Sequence, residues 1–281
     1  MKKLLLAIFC LGTIGVSQAQ IQTPQPSPAA KVEQKVGLTD VTLEYSRPGV
    51  KGRTIFGDLV PFGKLWRTGA NANTKITFSD DVKIAETELK AGSYAIYTKP
   101  EASAWDVYFY NDTNNWGTPQ KWDDTKVAAK VSVNTTKMSS STESFTIAID
   151  DLKNDSAVIT IAWDKTSVAI PFTVPTDKKA VASIEKVMAG ASAGDYFSAA
   201  RYYLEGDKDI NKAKTWIDKA VDMTKDKPRF WYLRQQSLIY AKAGLKQDAL
   251  SIAKKSMMLA EKAGNADYVK MNKDSIKEWS K

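Results

Sequence analysis

The sequence predicts an all-β antiparallel sandwich, jelly-roll-like, followed by an all-α domain of helical hairpins. Three observations lead to this fold class. Apolar and polar residues alternate with period two through much of residues 41–174, which is typical of strands with one buried face. No helical pattern long enough for a βαβ unit interrupts them. Beyond residue 176 the apolar spacing becomes helical, and an internal repeat of 36 residues follows.

Residues 1–19 predict a cleavable secretory signal peptide. Lys2 and Lys3 precede an apolar run from Leu4 to Val16, and Ala19 marks the expected cleavage site. The run is too short for a permanent membrane span, which needs about 20 apolar residues, so we expect no transmembrane segment after cleavage. The Pro- and Gln-rich residues 20–31 predict an exposed linker. This start indicates export to the periplasm or cell surface of a Gram-negative-type bacterium.

The composition excludes several kinds of catalysis. The chain has no His, and Cys10, its one cysteine, lies within the predicted signal peptide. After cleavage, disulfides, Ser–His and Cys–His nucleophilic catalysis and His/Cys zinc sites are therefore all excluded. We expect no metal site and no cofactor. Any catalysis would have to use carboxylates, Lys or Tyr, or a metal held by oxygen ligands.

Residues 32–175 are predicted to form the β-sandwich domain, with nine or ten short strands. Turn residues separate the alternating segments, for example at Gly92 and at Asp164-Lys165. The alternation is clearest in four sets of apolar residues: Val41, Leu43 and Tyr45; Trp105, Val107 and Phe109; Phe145, Ile147 and Ile149; and Ala157, Ile159, Ile161 and Trp163.

Residues 176–281 are predicted to form the helical repeat domain. Tyr196, Tyr232 and Tyr268 fall in register at the 36-residue spacing. The pattern resembles tetratricopeptide repeats, although that family repeats every 34 residues. The resemblance implies either binding of a protein partner or a structural role in which the hairpins support the neighbouring domain.

The charge of the chain is uneven. The net charge is +8, and residues 176–281 contain 21 Lys and Arg against 14 Asp and Glu. Basic surfaces can bind nucleic acid. Because acidic residues are interspersed along each helix and the chain is predicted to be exported, we interpret this excess as a solvated helical surface and expect no nucleic-acid partner.

The segment from residue 46 to residue 74 is the first candidate site. It combines turn residues with Arg47, Arg53, Trp66, Arg67 and Asn71. Arginine presents a planar fork that suits a carboxylate or a phosphate. The three arginines with Trp66 and Asn71 are therefore predicted to line one concave anion site. The alternative is structural, because arginine also ties loops together through backbone carbonyls and carboxylates.

Three sequence blocks then resemble a known bacterial family. SRPGVKGRTIFGDLVPFGKLWRTGANANTKITF, LKAGSYAIYTKP and WDVYFYNDTNNWGT occur in the order and spacing of domain of unknown function 2911, over about residues 32–173. The resemblance implies an exported β-sandwich-like domain without an assigned activity. Ala72 stands where family members often have an acidic residue. The family pattern is carried by Arg53, Phe56, Gly57, Pro61, Gly63, Trp66, Arg67, Gly69, Ala70, Asn71, Gly92, Tyr94, Trp116 and Gly117.

The segment from residue 108 to residue 124 is the second candidate site. Trp116 and Trp122 with neighbouring Tyr and Asn residues match the composition of a glycan-binding surface, while packing against the domain is the alternative. Asp112, Asp123 and Asp124 supply carboxylates. We therefore predict a non-enzymatic protein that binds a glycan or a small anionic group, with Trp116 in the site. The alternative is a carboxylate-dependent hydrolase of envelope or imported polysaccharide, which needs two carboxylates about 5–10 Å apart.

Overall fold

The computed structural model describes residues 23–281. The predicted signal peptide therefore lies outside the described residues, as do the first residues of the predicted linker. The described chain divides into two compact units, the first ending at Val174 and the second beginning at Pro175. The first unit contains the strands and the second contains the α-helices, so the prediction of an all-β domain followed by an all-α domain is confirmed.

The first unit is built on an antiparallel sheet of nine strands within the described residues. The strands are β1 (Ala29–Val36), β2 (Thr39–Ser46), β3 (Thr74–Phe78), β4 (Val82–Ile84), β5 (Thr87–Leu89), β6 (Gly92–Pro100), β7 (Ala104–Tyr110), β8 (Val127–Asp150) and β9 (Ser156–Thr173). Their order in the sheet is β1-β2-β3-β6-β7-β8-β9-β4-β5. Strands that follow each other in the chain are neighbours except around the β4–β5 hairpin, since β3 pairs with β6 and β4 pairs with β9. The order is therefore that of an interrupted meander and not the interleaved order of a jelly roll.

Two strands are much longer than the short strands expected. β8 has 24 residues and β9 has 18, so each merges two predicted segments. The predicted turn at Asp164 lies within β9 instead. Asp164 has a positive φ of 49°, and the register between β8 and β9 shifts nearby, which is the signature of a β-bulge. The turn-forming residue therefore bends a continuous strand.

The sheet folds over one main apolar core because β8 belongs to both halves. Residues 127–134 pair with β7, and residues 135–150 pair with β9. The buried side chains of both halves pack in one cluster, which includes Leu43, Ile76, Phe145 and Ile161. The Tyr45 hydroxyl also donates to the carbonyl of Ile147 across 3.1 Å and links β2 to β8. This arrangement gives the sandwich-like form that the alternation predicts.

The N-terminal boundary of the domain differs from the prediction. β1 begins at Ala29, inside the segment interpreted as a linker, and pairs with β2 from Ala29 to Val36. Earlier residues are held as well, since the amide of Arg47 donates to the carbonyl of Pro28 across 2.9 Å. Backbone hydrogen bonds to β2 therefore make residues 29–31 part of a strand, although their side chains alone do not predict one.

The second unit contains six α-helices within the described residues. They are α1 (Thr176–Val187), α2 (Ala193–Glu205), α3 (Ile210–Asp222), α4 (Phe230–Lys242), α5 (Lys246–Lys262) and α6 (Ala266–Trp279). Tyr196, Tyr232 and Tyr268 lie near the starts of α2, α4 and α6. Successive helices pack as hairpins, with fully buried alanines such as Ala213 and Ala249 where they approach closely. No helix of the described residues is long and apolar enough to cross a membrane.

Candidate functional site

The first unit contains a cleft of about 460 Å³ beside the loop between β2 and β3. This loop, residues 47–73, is called the β2–β3 loop below, and it supplies most of the lining. The lining comprises Pro26, Ser27, Pro48, Gly49, Lys51, Arg53, Leu59, Val60, Pro61, Lys64, Leu65, Trp66, Arg67, Gly69, Ala70, Thr118 and Trp163. It includes four cationic side chains and no carboxylate.

Arg67 is the guanidinium of the cleft that has no partner among the described residues, whereas Arg53 is hydrogen-bonded. Its guanidinium makes no hydrogen bond or ion pair with them, and its Nε is buried without an acceptor. The side chain is partly buried and lies against Gly117, where an added Cβ would be 3.2 Å from Nη1. Because buried donors in folded proteins are normally hydrogen-bonded, this group is poised to bind an acceptor that the described chain does not supply.

Trp66 and Trp163 join the cleft to the aromatic core. Their rings stack with centroids 5.9 Å apart and an interplanar angle of 14°. Phe145 meets both rings edge to face, at 5.3 Å and 5.7 Å. Trp163 is 2% exposed, and its Nε1 is a second buried donor with no partner in the described chain. Two unpaired donors therefore belong to residues that line this cleft.

The backbone of the β2–β3 loop holds Arg67 in place through its neighbours. Trp66 pairs with Thr98 of β6, its amide donating across 2.7 Å and its carbonyl accepting across 2.9 Å. Thr68 follows with a φ of 56°, which is uncommon for a β-branched residue and is often found at functional sites. Thr68 is fully buried, and its hydroxyl donates to that of Thr98 across 3.1 Å. Arg67 thus lies between two anchored residues.

The apolar residues of the loop anchor it only in part. Ile55 and Val60 are buried in the core, and Phe56 packs against the same cluster. Leu59 and Phe62 are instead 44% and 40% exposed. The loop is therefore held at its ends and centre by the core, while the intervening residues face solvent.

The three predicted arginines have different roles. Arg53 lines the cleft, but it donates to the carbonyls of Val50 at 3.0 Å and Gly49 at 2.5 Å. Arg47 does not line the cleft, because its guanidinium donates to Phe145 O and Thr146 Oγ1 of β8. The expectation that all three arginines share one concave surface is corrected accordingly. For Arg47 the structural alternative applies.

Asn71 also lies outside the lining of the cleft. Its Nδ2 donates to the carbonyl of Ser27 across 3.1 Å and to the hydroxyl of Ser46 across 3.3 Å. Its φ is 59°, a conformation that Asn adopts more readily than most residues. Asn71 therefore shapes the backbone and holds the N-terminal segment, and it does not line the cleft together with Arg53 and Arg67 as expected.

Trp116 is likewise absent from the lining, although its neighbours are not. Gly117 packs against Arg67, and Thr118 lines the cleft. The indole of Trp116 is 80% exposed. The segment that carries Trp116 therefore borders the cleft, while the Trp116 side chain is exposed to solvent and does not line it.

Lys51, Lys64, Thr118 and Trp163 line the cleft but were not among the predicted site residues. The two lysines lie in the same loop as the arginines, so a count of all cations in residues 46–74 would have found them. Trp163 comes from β9, nearly 100 residues along the chain, and its sequence signal is that of a core strand. Only the tertiary structure brings it to the loop.

The aromatic residues around Trp122 pack on each other. Trp122 stacks on Tyr110 with centroids 4.5 Å apart and meets Tyr97 and Tyr108 edge to face. Burial raises the pKa of Tyr97 to about 12. For these residues the alternative of packing against the domain applies.

The three aspartates of the second candidate site have structural partners. Asp112 accepts from the amide of Asn114 and pairs with Lys126 at 3.2 Å. Asp123 caps a short 3-10 helix, and Asp124 accepts from the indole of Trp122 across 2.8 Å. Among the described residues, no group of three or more acidic, His or Cys side chains could hold a metal ion.

The fold and the cleft define a protein in which an antiparallel β domain with a cation-lined cleft precedes helical hairpins. The sequence profile described as "Protein of unknown function (DUF2911)" matches residues 27–172, and the chain belongs to this family. The predicted family resemblance is thereby confirmed. No significant match was found among curated proteins or among solved structures.

Proposed function

We propose that this protein is an exported, non-enzymatic binding protein of the periplasm or cell surface. Its β domain binds an anionic group in the cleft beside the β2–β3 loop, and its helical hairpins form a scaffold that recruits a protein partner. The observation that carries the proposal is Arg67, a guanidinium on the cleft without a partner among the described residues.

The electrostatics of the cleft favour an anion. Arg53, Arg67, Lys51 and Lys64 contribute four positive charges to the lining, which contains no carboxylate. Glu143 is close to the rim, but its Oε1 accepts from the backbone amide of Lys51 across 2.9 Å. In a partly enclosed cleft, several like charges raise the local concentration of counter-ions and strengthen each hydrogen bond.

The unpaired donors supply a second argument. Arg67 Nε and Trp163 Nε1 are both buried without acceptors in the described chain. A buried donor without a partner costs about 1–3 kcal/mol. An anionic ligand would supply the acceptors that Arg67 lacks, so ligand binding would recover free energy that folding leaves unrecovered at this residue.

A carboxylate-dependent hydrolase has less support. Such an enzyme needs two carboxylates facing one sugar, whereas no carboxylate lines the cleft. Asp112 and Asp123 also serve as acceptors for the ordered backbone around them. Binding without catalysis is therefore the better supported function.

The helical unit supports a tetratricopeptide-like scaffold role. Alternate helices follow the 36-residue repeat, and aromatic residues connect them: Phe197 stacks on Tyr232 at 4.4 Å, and Phe230 meets Tyr268 at 4.9 Å. Trp231 is 38% exposed at the start of α4. Photo-crosslinking from position 231 in living cells tests this role. A crosslink to another protein supports recruitment, and its absence from this and other exposed helical positions would favour a supporting role alone.

Export follows from the sequence of residues 1–19 and has its own test. Intact-mass measurement on protein from the native host should show a chain that begins at Gln20. Retention of Met1, or a lipid mass on Cys10, would contradict the proposal. Fractionation of the cells would then locate the mature protein.

Calorimetric titration of the purified protein with inorganic phosphate, sulfate and citrate tests the anion site. Arg67→Gln should weaken binding by about 10- to 100-fold, because a hydrogen bond to a charged group contributes about 1.5–3 kcal/mol. Arg67→Lys should recover only part of the affinity, since lysine keeps the charge but lacks the planar fork. Lys153→Gln, which removes an exposed cation outside the lining, is the control and should change affinity less than twofold. No binding of any anion by the wild type, or equal binding by Arg67→Gln, would refute the anion site.

A further inference from the structure

Trp116 is the most exposed large apolar side chain of the described residues, at 80%. Single exposed apolar residues are common on protein surfaces. An indole is nevertheless the largest apolar group a protein can expose, and this one extends from a loop whose backbone is fixed. That combination calls for a ligand-based explanation when the loop also borders a cleft.

The loop that carries Trp116 is held on both sides. Asn115 and Asn73 are joined by two hydrogen bonds. The backbone N–H of Asn115 donates to the side-chain Oδ1 of Asn73 across 2.9 Å, and the backbone N–H of Asn73 donates to the backbone carbonyl of Asn115 across 3.1 Å. On the other side the Tyr97 hydroxyl donates to the carbonyl of Gly117 across 3.4 Å. The indole is therefore attached to an ordered backbone, which lowers the entropy cost of using it in binding.

The same loop meets the cation of the cleft. Gly117 is buried, with a φ of 94°, and an added Cβ there would lie 3.2 Å from Arg67 Nη1. Thr118, the next residue, lines the cleft. Trp116 is thus bonded directly to the residue that packs on Arg67, so the backbone that carries the exposed indole passes beside the guanidinium.

We propose that the anionic ligand is an acidic saccharide, a sugar that bears a carboxylate or a phosphate. The anionic group binds Arg67, and the neighbouring ring stacks its apolar face on Trp116. Asn114, exposed on the same loop, offers an amide for sugar hydroxyls. This inference rests on the proposed anion site. It specifies the sugar ring, which is the part of the ligand that the cleft itself does not hold.

The proposal explains two features together that a simple anion leaves unrelated. A free phosphate or sulfate would need Arg67 and the lysines but would have no use for an indole at the rim. A neutral glycan would use Trp116 but would leave the four cations of the lining without a counter-charge. Aromatic side chains combine a large apolar face with little conformational freedom, so a ligand with both a ring and a charge matches the rim.

Calorimetric titration should compare trigalacturonate, uncharged galactotriose, galactose 6-phosphate, acetate and inorganic phosphate. We expect the charged sugars to bind at least tenfold more tightly than both galactotriose and the matching simple anion. Trp116→Ala should weaken charged-sugar binding by roughly threefold to tenfold and should change phosphate or acetate binding less than twofold. Trp116→Phe should recover part of the loss. Leu152→Ala, at another exposed apolar side chain (51% exposed), is the control.

The outcomes separate this inference from the proposed function. If simple anions bind as tightly as the charged sugars and Trp116→Ala has no effect, the saccharide is wrong while the anion site stands. If no anion or sugar binds, the anion site and the saccharide both fail. If galactotriose binds as tightly as trigalacturonate, the charge is irrelevant, and both proposals are overturned in favour of a neutral glycan. Galactose 6-phosphate and trigalacturonate together show which anionic group the cleft prefers.

Discussion

The guanidinium of Arg47 donates from Nε to the backbone carbonyl of Phe145 across 3.0 Å. The amide of Phe145 in turn donates to the carbonyl of Pro48 across 2.9 Å. Arg47 therefore continues the hydrogen bonding between the end of β2 and β8, where the two halves of the sheet approach. Arg67, twenty residues later in the same loop, makes no such bond to the described chain. The two arginines are therefore expected to respond differently to substitution.

Arg47→Ala should lower the free energy of unfolding by about 1–3 kcal/mol, because it leaves two acceptors of β8 unpaired. Phosphate binding by the folded protein should change less than twofold. Arg67→Gln should show the opposite pattern, with the unfolding midpoint preserved and binding lost. Thermal melts followed by tryptophan fluorescence, combined with calorimetric titration, measure both quantities. Equal loss of stability in the two variants would contradict this division of roles.

Gly69→Ala should be strongly destabilising. Gly69 has a φ of 144°, and an added Cβ would lie 3.1 Å from the backbone oxygen of Ser46. Backbone strain and crowding together should cost about 3 kcal/mol or more. Gly52 has a φ of 69° with nothing near an added Cβ, so Gly52→Ala should cost only about 1 kcal/mol. Chemical denaturation of both variants checks the difference, and similar losses would show that crowding at Gly69 is relieved by movement of the loop.

Asp218 connects two helices of the second unit. Its carboxylate accepts from Gln236 Nε2 across 2.8 Å and from the Tyr240 hydroxyl across 3.0 Å, and it pairs with Lys214 on its own helix. Asp218→Ala leaves these groups without their acceptor and should destabilise the helical unit by about 1–3 kcal/mol.

The measurement is thermal unfolding followed by circular dichroism at 222 nm. Asp222→Ala is the matched control, because Asp222 lies one turn later on α3 and makes only an exposed contact of 3.8 Å with Lys225. It should shift stability by less than about 0.5 kcal/mol. If both variants melt alike, Asp218 does not hold α3 and α4 together.

Asp112 should make stability depend on pH. The backbone amide of Asn114, followed by Lys126, lowers the pKa of Asp112 below its ordinary value. A lowered folded-state pKa means that the contribution is present above about pH 4, the unfolded pKa, and is lost as the pH falls through the folded pKa. Solvent exposure of the pair limits this contribution to about 1 kcal/mol or less.

Asp112→Asn should therefore have a lower free energy of unfolding than the wild type at pH 7, and this difference should shrink as the pH falls below about 4. Denaturant unfolding at pH 7, 5, 4 and 3 measures it. Asp151→Asn is the control, since the Asp151 side chain makes no hydrogen bond or ion pair with the described residues. Its difference from the wild type in free energy of unfolding should be the same at every pH. A difference for Asp112→Asn that is as large at pH 3 as at pH 7 would contradict the assignment.

Much of the fold could be predicted from the sequence, because it rests on local periodicity. The alternation of Phe145, Ile147 and Ile149 marks a strand wherever that strand pairs, and the spacing of Tyr196 and Tyr232 marks repeated helices. The length of β8 was not predictable in the same way. The two alternating ends of β8 are joined by a polar, bulged segment that shows no alternation. This segment is part of the strand only because β9 pairs with it.

The site was predictable in part for a related reason. The loop that carries Arg53, Trp66 and Arg67 stands out by its composition, and all three line the cleft. The sequence does not show which arginine is hydrogen-bonded to a backbone carbonyl. Arg47 and Arg67 are therefore equally good candidates for the site until the structure shows β8 beside β2. Trp163 is the opposite case. It lines the cleft, but nothing in its local sequence distinguishes it from an ordinary core residue.

The sequence by itself determined the order of a β domain and a helical domain, the absence of His and of Cys beyond position 10, and the loop that bears the cations. These properties depend on residue type and short-range spacing. The tertiary structure decided which of those cations remain unpaired, because hydrogen-bond partners such as Phe145 O come from strands about 100 residues away. It likewise placed Gly117 on Arg67 and left Trp116 at the rim, since a contact between two loops depends on the whole sheet that holds them.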